Sequence, residues 1–391
     1  MTTMAVVAIV LLLLPAVLFG YAYVGYPLLL RLIAARQPAP EPAHDPAQWP
    51  LISITLPAYN EERRIRGALD ALLAADYPAD RRQILVISDC SSDQTDDIVR
   101  GYADRGVELL RLPERKGKTA AENAAGHAVK HDIVINTDAS VRIRPDAIKP
   151  IVRAFQDRTV GVASGRDVSV GDASVEGNQG ESGYVGYEMG LRALETRVGT
   201  IIGASGCFYG FRKDIYDTAF PEGLSRDFAS CLMAREHGYR AVSVDDAVCV
   251  VPRTSSLRAE FQRKIRTMAR GLDTLWYKRH LMNPARHGFF AFALLSHKLA
   301  RWLFYLALPG AAVGLVLAAI LWPWAAVLLA LAVLFVVLGA VGMRWPEGKP
   351  VPRVFALPGF ILASNLAGLL AWRRAIGGES IPIWEPTRRP A

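Results

Sequence analysis

Carboxylates, hydroxyls and cations gather in a few short clusters of this sequence. The first is Pro57-Ala58-Tyr59-Asn60-Glu61-Glu62, a polar elbow. The second runs from Ser88 to Thr95 and contains Asp89, a carboxylate able to accept hydrogen bonds. Asp93 and Asp97 nearby read better as helix-capping residues. Arg115-Lys116-Gly117-Lys118 is a cationic cluster, with Asn123 further along. Asn136-Thr137-Asp138-Ala139-Ser140 adds another carboxylate, and Ile202–Arg212 (IGASGCFYGFR) is glycine-rich, which permits close backbone approach. Ser225-Arg226-Asp227-Phe228 opens a helix expected to end near Gly238, with Asp227 as a suitable N-cap for residues 228–236. Gln262-Arg263-Lys264-Ile265-Arg266 is a basic segment fit for anionic lipid or phosphate oxygens. His127 and His131 have the i, i+4 spacing of a metal pair, but no carboxylate partner accompanies them, so a helix-end pair is expected.

These clusters need elements to hold them. Leu51–Pro57, Gln83–Ser88, Val107–Leu112 and Asp132–Asn136 read as strands. Glu61–Ala74, Asp93–Ala103 and Lys118–Lys130 read as helices between them. Such alternation predicts an α/β, doubly wound, mostly parallel sheet, whose ligands lie beyond the carboxyl ends of the strands. The elbow at 57–62, Asp89 and the 137–140 segment fall at those ends. Residues 164–183, rich in Gly, Ser and Asp, read as a flexible loop.

Hydrophobic residues make up 51% of the 391, and they are segregated, which excludes an ordinary soluble enzyme. Residues 5–30 carry no charge and are long enough for a membrane helix of about 20 residues. Trp302–Leu321, Trp324–Met343 and Val354–Trp372 are further candidate spans, while Phe289–Arg301 carries His297, Lys298 and Arg301 and reads as an amphipathic interface helix. The expected division is a 1–35 anchor, a 36–50 proline-rich linker, a 51–285 domain, a 286–301 interface helix, 302–372 transmembrane helices and a 373–391 tail. Basic residues flank the middle domain on both sides, at Arg31, Arg36 and through 253–286, which places it on the cytoplasmic face. Three C-terminal spans would put the tail outside, against the preference of Arg373, Arg374, Arg388 and Arg389. Either the interface helix also spans or a later segment is re-entrant. The net charge of +8 points to membrane lipids or a phosphate-bearing substrate; no Lys/Arg run interleaved with aromatics suggests nucleic acid. Cys90, Cys207, Cys231 and Cys249 form no C-x-x-C pair, and read as reduced, unpaired thiols.

Taken in order, the clusters over about 51–300 resemble the inverting glycosyltransferases of family 2, with a weaker echo to the C-terminus at Trp384-Glu-Pro-Thr-Arg388. They are similar to poly-N-acetylglucosamine, hyaluronan and cellulose synthases. The resemblance implies a GT-A fold, Rossmann-like with a mostly parallel sheet, as a cytoplasmic domain flanked by transmembrane helices. It implies that Pro57, Tyr59, Glu61 and Asp89 hold the nucleotide. Lys118 would lie near the diphosphate, though a solvated charge run explains it equally. Asp138 matches the first aspartate of the D-x-D metal motif and implies Mg2+ or Mn2+, with Ser140 in place of the second acid. Gly203, Ser205, Gly206 and Cys207 would lie on the acceptor side. Asp227 would be the general base, although Arg226 stands where relatives carry a second acid. Arg263 and Arg266 match the arginine segment that caps the donor diphosphate, with Thr267 replacing its tryptophan.

The function so implied is a glycosyltransferase of the bacterial inner (plasma) membrane. It would move a sugar, from a UDP-sugar by resemblance, to a growing polysaccharide or lipid-linked acceptor with inversion, alongside an export or accessory partner. A single-transfer enzyme on a lipid-linked acceptor is the first alternative. A non-catalytic subunit that binds nucleotide sugar or a partner synthase is the second, motivated by Ser140, Arg226 and Thr267.

Overall fold

The computed structural model describes residues 2–38, 44–170, 176–252, 257–346, 349 and 351–378. Two helices, α1 (Thr3–Gly20) and α2 (Tyr26–Ala34), open the chain and are joined by a π-helical turn. Strand and helix then alternate: β1 (Ile52–Ala58), α3 (Ile65–Leu73), β2 (Arg82–Ser88), α4 (Thr95–Arg100), β3 (Val107–Arg111), α5 (Lys118–Ala125), β4 (Ile133–Thr137), β5 (Arg142–Ile143) and α6 (Ile148–Ala154). Next come β6 (Val160–Val170), α7 (Glu176–Val198), β7 (Phe208–Arg212), α8 (Lys213–Tyr216), α9 (Arg226–Glu236) and β8 (Arg240–Pro252). Helices α10 (Leu257–Tyr277), α11 (Pro284–His287), α12 (Phe289–Leu294), α13 (Ala300–Leu321), α14 (Pro323–Met343) and α15 (Arg353–Gly377) complete it. The chain divides into two compact units, one of residues 34–171 and 181–254, the other of 1–33, 172–180 and 255–379.

The first unit is an eight-stranded sheet in the order β3-β2-β1-β4-β7-β6-β8-β5. Strands β3, β2, β1 and β4 are parallel neighbours, and β7 runs antiparallel to both β4 and β6. Parallel strands need covering on both faces, and β2 shows how the sequence does it. Ile84 and Val86 enter one core cluster with Ile52, Ile54 and Leu56, while Leu85 and Ile87 enter the other with Val134, Tyr209 and Phe211. The second face also buries polar groups. Ser53 Oγ donates to Gln83 Oε1 at 2.6 Å, and Thr55 Oγ1 donates to Asn136 Oδ1 at 3.0 Å.

The structure corrects several expectations drawn from the sequence. Residues 164–170 are strand, not loop, because β6 pairs with β7 and β8, and α7 begins at Glu176. Helix α5 stops at Ala125, where Gly126 N–H turns back to Asn123 O, so His127 and His131 lie beyond it and form no helical pair. Helix α9 starts at Arg226 with Ser225 in the N-cap position, which places Asp227 in the first turn. A carboxylate there still suits the positive end of the helix dipole. Asp93 does cap, accepting Thr95 N–H at 2.9 Å, whereas Asp97 pairs with Arg100 at 2.5 Å on the surface.

In the second unit, α1 packs on α13, and α15 packs on α14 and α10. Thr3–Ala34, Phe289–Leu321, Pro323–Met343 and Arg353–Gly377 are long and apolar enough to cross a membrane. The segment expected as a separate interface helix is therefore continuous with α13 through a π-helical turn at Leu295–Leu299. Its polar groups turn inward instead: His297 is buried near the Tyr26 ring, Ser296 Oγ and Tyr21 OH are hydrogen-bonded at 2.6 Å, and the Arg301 guanidinium lies 4.9 Å from the Tyr23 ring centre. The tail cluster at Trp384–Arg388 lies outside the described residues.

Gly165 in β6 tests the strand assignment. A Cβ there would stand 2.6 Å from Phe208 Cδ1 and 2.8 Å from Ala247 O. Gly165→Ala should cost about 1–3 kcal/mol, read from thermal or urea unfolding of the full chain in detergent. No loss of stability would mean that β6 does not pack so closely.

Candidate active site

The carboxyl ends of β1 and β2 lie side by side, with Pro57 opposite Ile87 and Ala58 opposite Ser88. Each strand leaves the sheet through a non-glycine residue in the left-handed region, Asn60 (φ 52) and Cys90 (φ 58). The two exits bind each other: Ser92 N–H donates to Asn60 Oδ1 at 2.8 Å, and Glu61 N–H donates to Thr95 Oγ1 at 2.8 Å. Glu61 is buried, and its carboxylate meets Arg64 at 3.1 Å. The Arg115 guanidinium stacks on the Tyr59 ring, 3.7 Å from its centre.

Asp89 is committed to backbone. Its Oδ1 accepts Lys116 N–H and its Oδ2 accepts Gly117 N–H, each at 2.8 Å. These are the residues just before α5, and Gly117 has the positive φ of 95 that the turn requires. Asp89 therefore fixes where Lys118, the first residue of α5, begins.

Lys118 is the point of convergence. Its Nζ donates to Asp138 Oδ1 at 2.5 Å and to Gly206 O at 3.1 Å, and lies 3.9 Å from Glu122 Oε1. Burial alone would lower its pKa, but Asp138 and Glu122 outweigh burial and hold the ammonium above the ordinary lysine value. Gly206 then links this cation to Asp227, since a Cβ on Gly206 would stand 2.7 Å from Asp227 Oδ2. The other oxygen, Asp227 Oδ1, accepts Ser225 Oγ–H and the Phe228 N–H.

The glycine-rich segment divides. Gly203 is buried, and Ser205, at 0% exposure, is structural: its hydroxyl donates to Asp167 Oδ1 at 2.5 Å and accepts Cys207 N–H at 3.1 Å. From α7, Arg192 donates to Ala204 O at 3.2 Å. Gly206 and half-exposed Cys207 are the members nearest the cation. Arg263 and Arg266 belong to α10, in the other unit, and Arg263 is forked on Glu260 of its own helix at 2.9 and 2.5 Å.

Two features were not singled out from sequence. Glu122, one turn after Lys118, is 1% exposed and accepts Asn136 Nδ2–H at 2.8 Å. Burial pushes its carboxyl pKa up, and Lys118 and Arg226 pull it back only in part. The available signal was a single acid in an alanine-rich helix at the i+4 position. Asp167, the acceptor for Ser205, was hidden in a stretch read as loop.

Among the described residues, no three His, Cys, Asp or Glu converge as a metal cage. Asp138 and Ser140 nonetheless offer hard oxygen donors at the end of β4. One carboxylate with substrate phosphates and waters suffices for Mg2+, so this donor set fits a small divalent ion.

Asp89 anchors this arrangement, which gives a direct check. Asp89→Ala leaves two N–H groups without their acceptor and should cost about 1–3 kcal/mol. Hydrogen exchange should show the Lys116 and Gly117 amides losing protection; unchanged protection would remove Asp89 from its anchoring role.

Comparison with known proteins bears on the fold and the family. Residues 53–220 match the family described as Glycosyl transferase family 2. An N-acetylglucosaminyltransferase of a Rhizobium species is 27% identical over 253 residues, covering 60% of this chain and 55% of that protein. Another, from Sinorhizobium fredii, is 24% identical over 347 residues, 83% of this chain and 82% of that one. The chain spans about half the length of the first curated relatives it matches, 55%, 55% and 54%. A mannosyltransferase of Pyrobaculum calidifontis, solved with GDP-Man and Mn2+, has a TM-score of 0.73 at 23% identity, covering 96% of this chain and 100% of that one, and shows the shared fold. The strand-and-helix unit thus has the GT-A fold, and its residues 53–220 match the model of glycosyl transferase family 2.

Proposed function

We propose that the chain is a hexosyltransferase that moves a sugar from a nucleotide-activated donor to a hydroxyl of a glycan or lipid-linked acceptor, with inversion. The observation that carries this reading is the run Asp138–Lys118–Gly206–Asp227, in which one glycine separates a held cation from a carboxylate. Asp227 takes the proton of the acceptor hydroxyl as that oxygen bonds to the anomeric carbon. The bond from that carbon to the diphosphate breaks, its electron pair leaves with the nucleoside diphosphate, and the Lys118 ammonium meets the charge. Tyr59, with Arg115 on its ring, and Pro57, Glu61 and Asp89 are assigned to the nucleotide side. Arg263 and Arg266 are assigned to donor phosphates, which match the guanidinium fork. Mg2+ or Mn2+, held by Asp138 and Ser140, would supply Lewis-acid charge to the departing diphosphate.

UDP-GlcNAc is the donor we favour, on the strength of relatives named N-acetylglucosaminyltransferases. The four apolar helices support an integral protein of the bacterial inner membrane, and Arg31 and Arg36 support a cytoplasmic catalytic domain.

The test is transfer by the purified chain in lipid with labelled UDP-GlcNAc, UDP-glucose, UDP-galactose and GDP-mannose. UDP-GlcNAc should give product, and its size separates polymer from single transfer. Asp227→Asn and Asp138→Ala should each lower the rate by at least about 10²-fold, the lower end for a general base. Gly206→Ala should retain donor binding and lose about 10²-fold in rate, because it displaces Asp227. Binding without turnover for every donor would favour the non-catalytic subunit, and full activity of Asp227→Asn would show another base.

A further inference from the structure

Arg226 immediately precedes Asp227, yet only 4% of it is exposed. Its guanidinium donates to Asn123 Oδ1 and, at 2.5 Å, to Tyr216 O, and it lies 4.7 Å from the Tyr216 ring centre. Its counter-charge comes from a different element: Glu122 Oε2 of α5, 3.8 Å from Arg226 Nε. The other oxygen of the same carboxylate accepts Asn136 Nδ2–H and faces Lys118 Nζ at 3.9 Å. Asn136 stands two residues before Asp138 in β4. Glu122 thus has a cation on each side, one that pairs with Asp138 and one that adjoins Asp227 in sequence.

We propose that Glu122 is a positioning residue for sugar transfer: its carboxylate neutralises Arg226 beside Asp227 and seats Lys118 between Asp138 and Gly206. The inference rests on the transfer reading above. A buried arginine needs a buried partner on any account, since an uncompensated buried charge is strongly destabilising. What separates a positioning role from a merely structural one is whether the charge of Glu122 is felt at the base. Among the described residues, Arg226 adjoins Asp227 on α9, the Lys118 ammonium lies across Gly206 from it, Glu122 of α5 pairs with Arg226, and Tyr209 of β7 interacts electrostatically with Asp227, Arg226, Glu122 and Asp138. Burial and the neighbouring carboxylates hold the Tyr209 phenol well above its ordinary pKa, so it stays neutral through an assay range near pH 5–9. On this proposal the Arg226–Glu122 pair contributes to the charge felt at Asp227, beside the Lys118 ammonium across Gly206.

The experiment is the pH dependence of kcat/KM for the full chain in lipid, for wild type, Glu122→Gln, Arg226→Gln, the double variant and Arg226→Lys. Glu122→Gln leaves the guanidinium uncompensated, which favours the ionised base, so the acid limb should move to lower pH. Arg226→Gln leaves Glu122 with Lys118 alone as its counter-charge, and the limb should move to higher pH. The double variant should return it to the wild-type position. Arg226→Lys keeps the cation, so its limb should stay in place even if the lost fork lowers the melting temperature. That variant decides the matter if the single charge-neutralising variants do not fold: a limb displaced upward in Arg226→Lys overturns the proposal. Unmoved limbs in all variants, or shifts of the same sign in both singles, overturn it as well while the transfer reading stands. A wild-type chain that transfers nothing from any donor overturns both.

Discussion

An ammonium held inside a protein must be met by oxygens on its open sides, and the arrangement around Lys118 follows from that requirement. Its neighbours come from three places in the chain: Asp138 at the end of β4, the Gly206 carbonyl before β7, and Glu122 one turn along α5. A largely desolvated ion pair is costly to break, because the remaining charge is left without its partner. The elements that deliver those oxygens are therefore tied to the position of one side chain. Asp89 sets that position from behind by gripping the turn at Lys116 and Gly117. The residue most easily read as a ligand contact is thus also the anchor for the cation, and its carboxylate oxygens keep lone pairs for further bonds.

The two faces of the sheet serve different ends. One face is packed with aliphatic side chains from β1, β2 and β4. On the other, apolar side chains are joined by two buried polar pairs, Ser53 with Gln83 and Thr55 with Asn136, and the second reaches Glu122. Buried polar groups cost free energy unless each is paired, and here Thr55, Asn136 and Glu122 are linked in one chain while Ser53 and Gln83 pair separately and accept the Lys130 N–H. Through Glu122 this polar chain reaches the Lys118 end of α5.

Much of this was legible in the sequence. The strands β1 to β4 and the polar clusters at their ends were readable, because period and strand-end placement are local signals. The GT-A fold followed from the order of those clusters. The role of Ser205 was not legible: its hydroxyl is spent on Asp167, a residue in a Gly- and Ser-rich stretch that becomes strand only by pairing with β7 and β8. Such pairing is long-range, and composition argues against it locally. Glu122 was missed because a lone acid in a helix of alanines looks like a solvated face; only the fold shows that Arg226, far along the chain, turns toward it. The continuity of segment 289–301 with α13 was not legible either: His297 and Arg301 are polar in sequence, and only the fold shows that tyrosines of the N-terminal helices receive them.

The most direct test of the central claim is a structure of the full chain in lipid with a non-hydrolysable UDP-GlcNAc analogue and Mg2+. The account predicts the diphosphate against Lys118 and Asp138. It also predicts that Asp227 Oδ2 faces the side of the anomeric carbon opposite the leaving oxygen, with room for an acceptor hydroxyl at a near-attack distance of about 3–3.5 Å. A nucleotide bound away from Lys118, or an anomeric carbon whose open face looks away from Asp227, would contradict it.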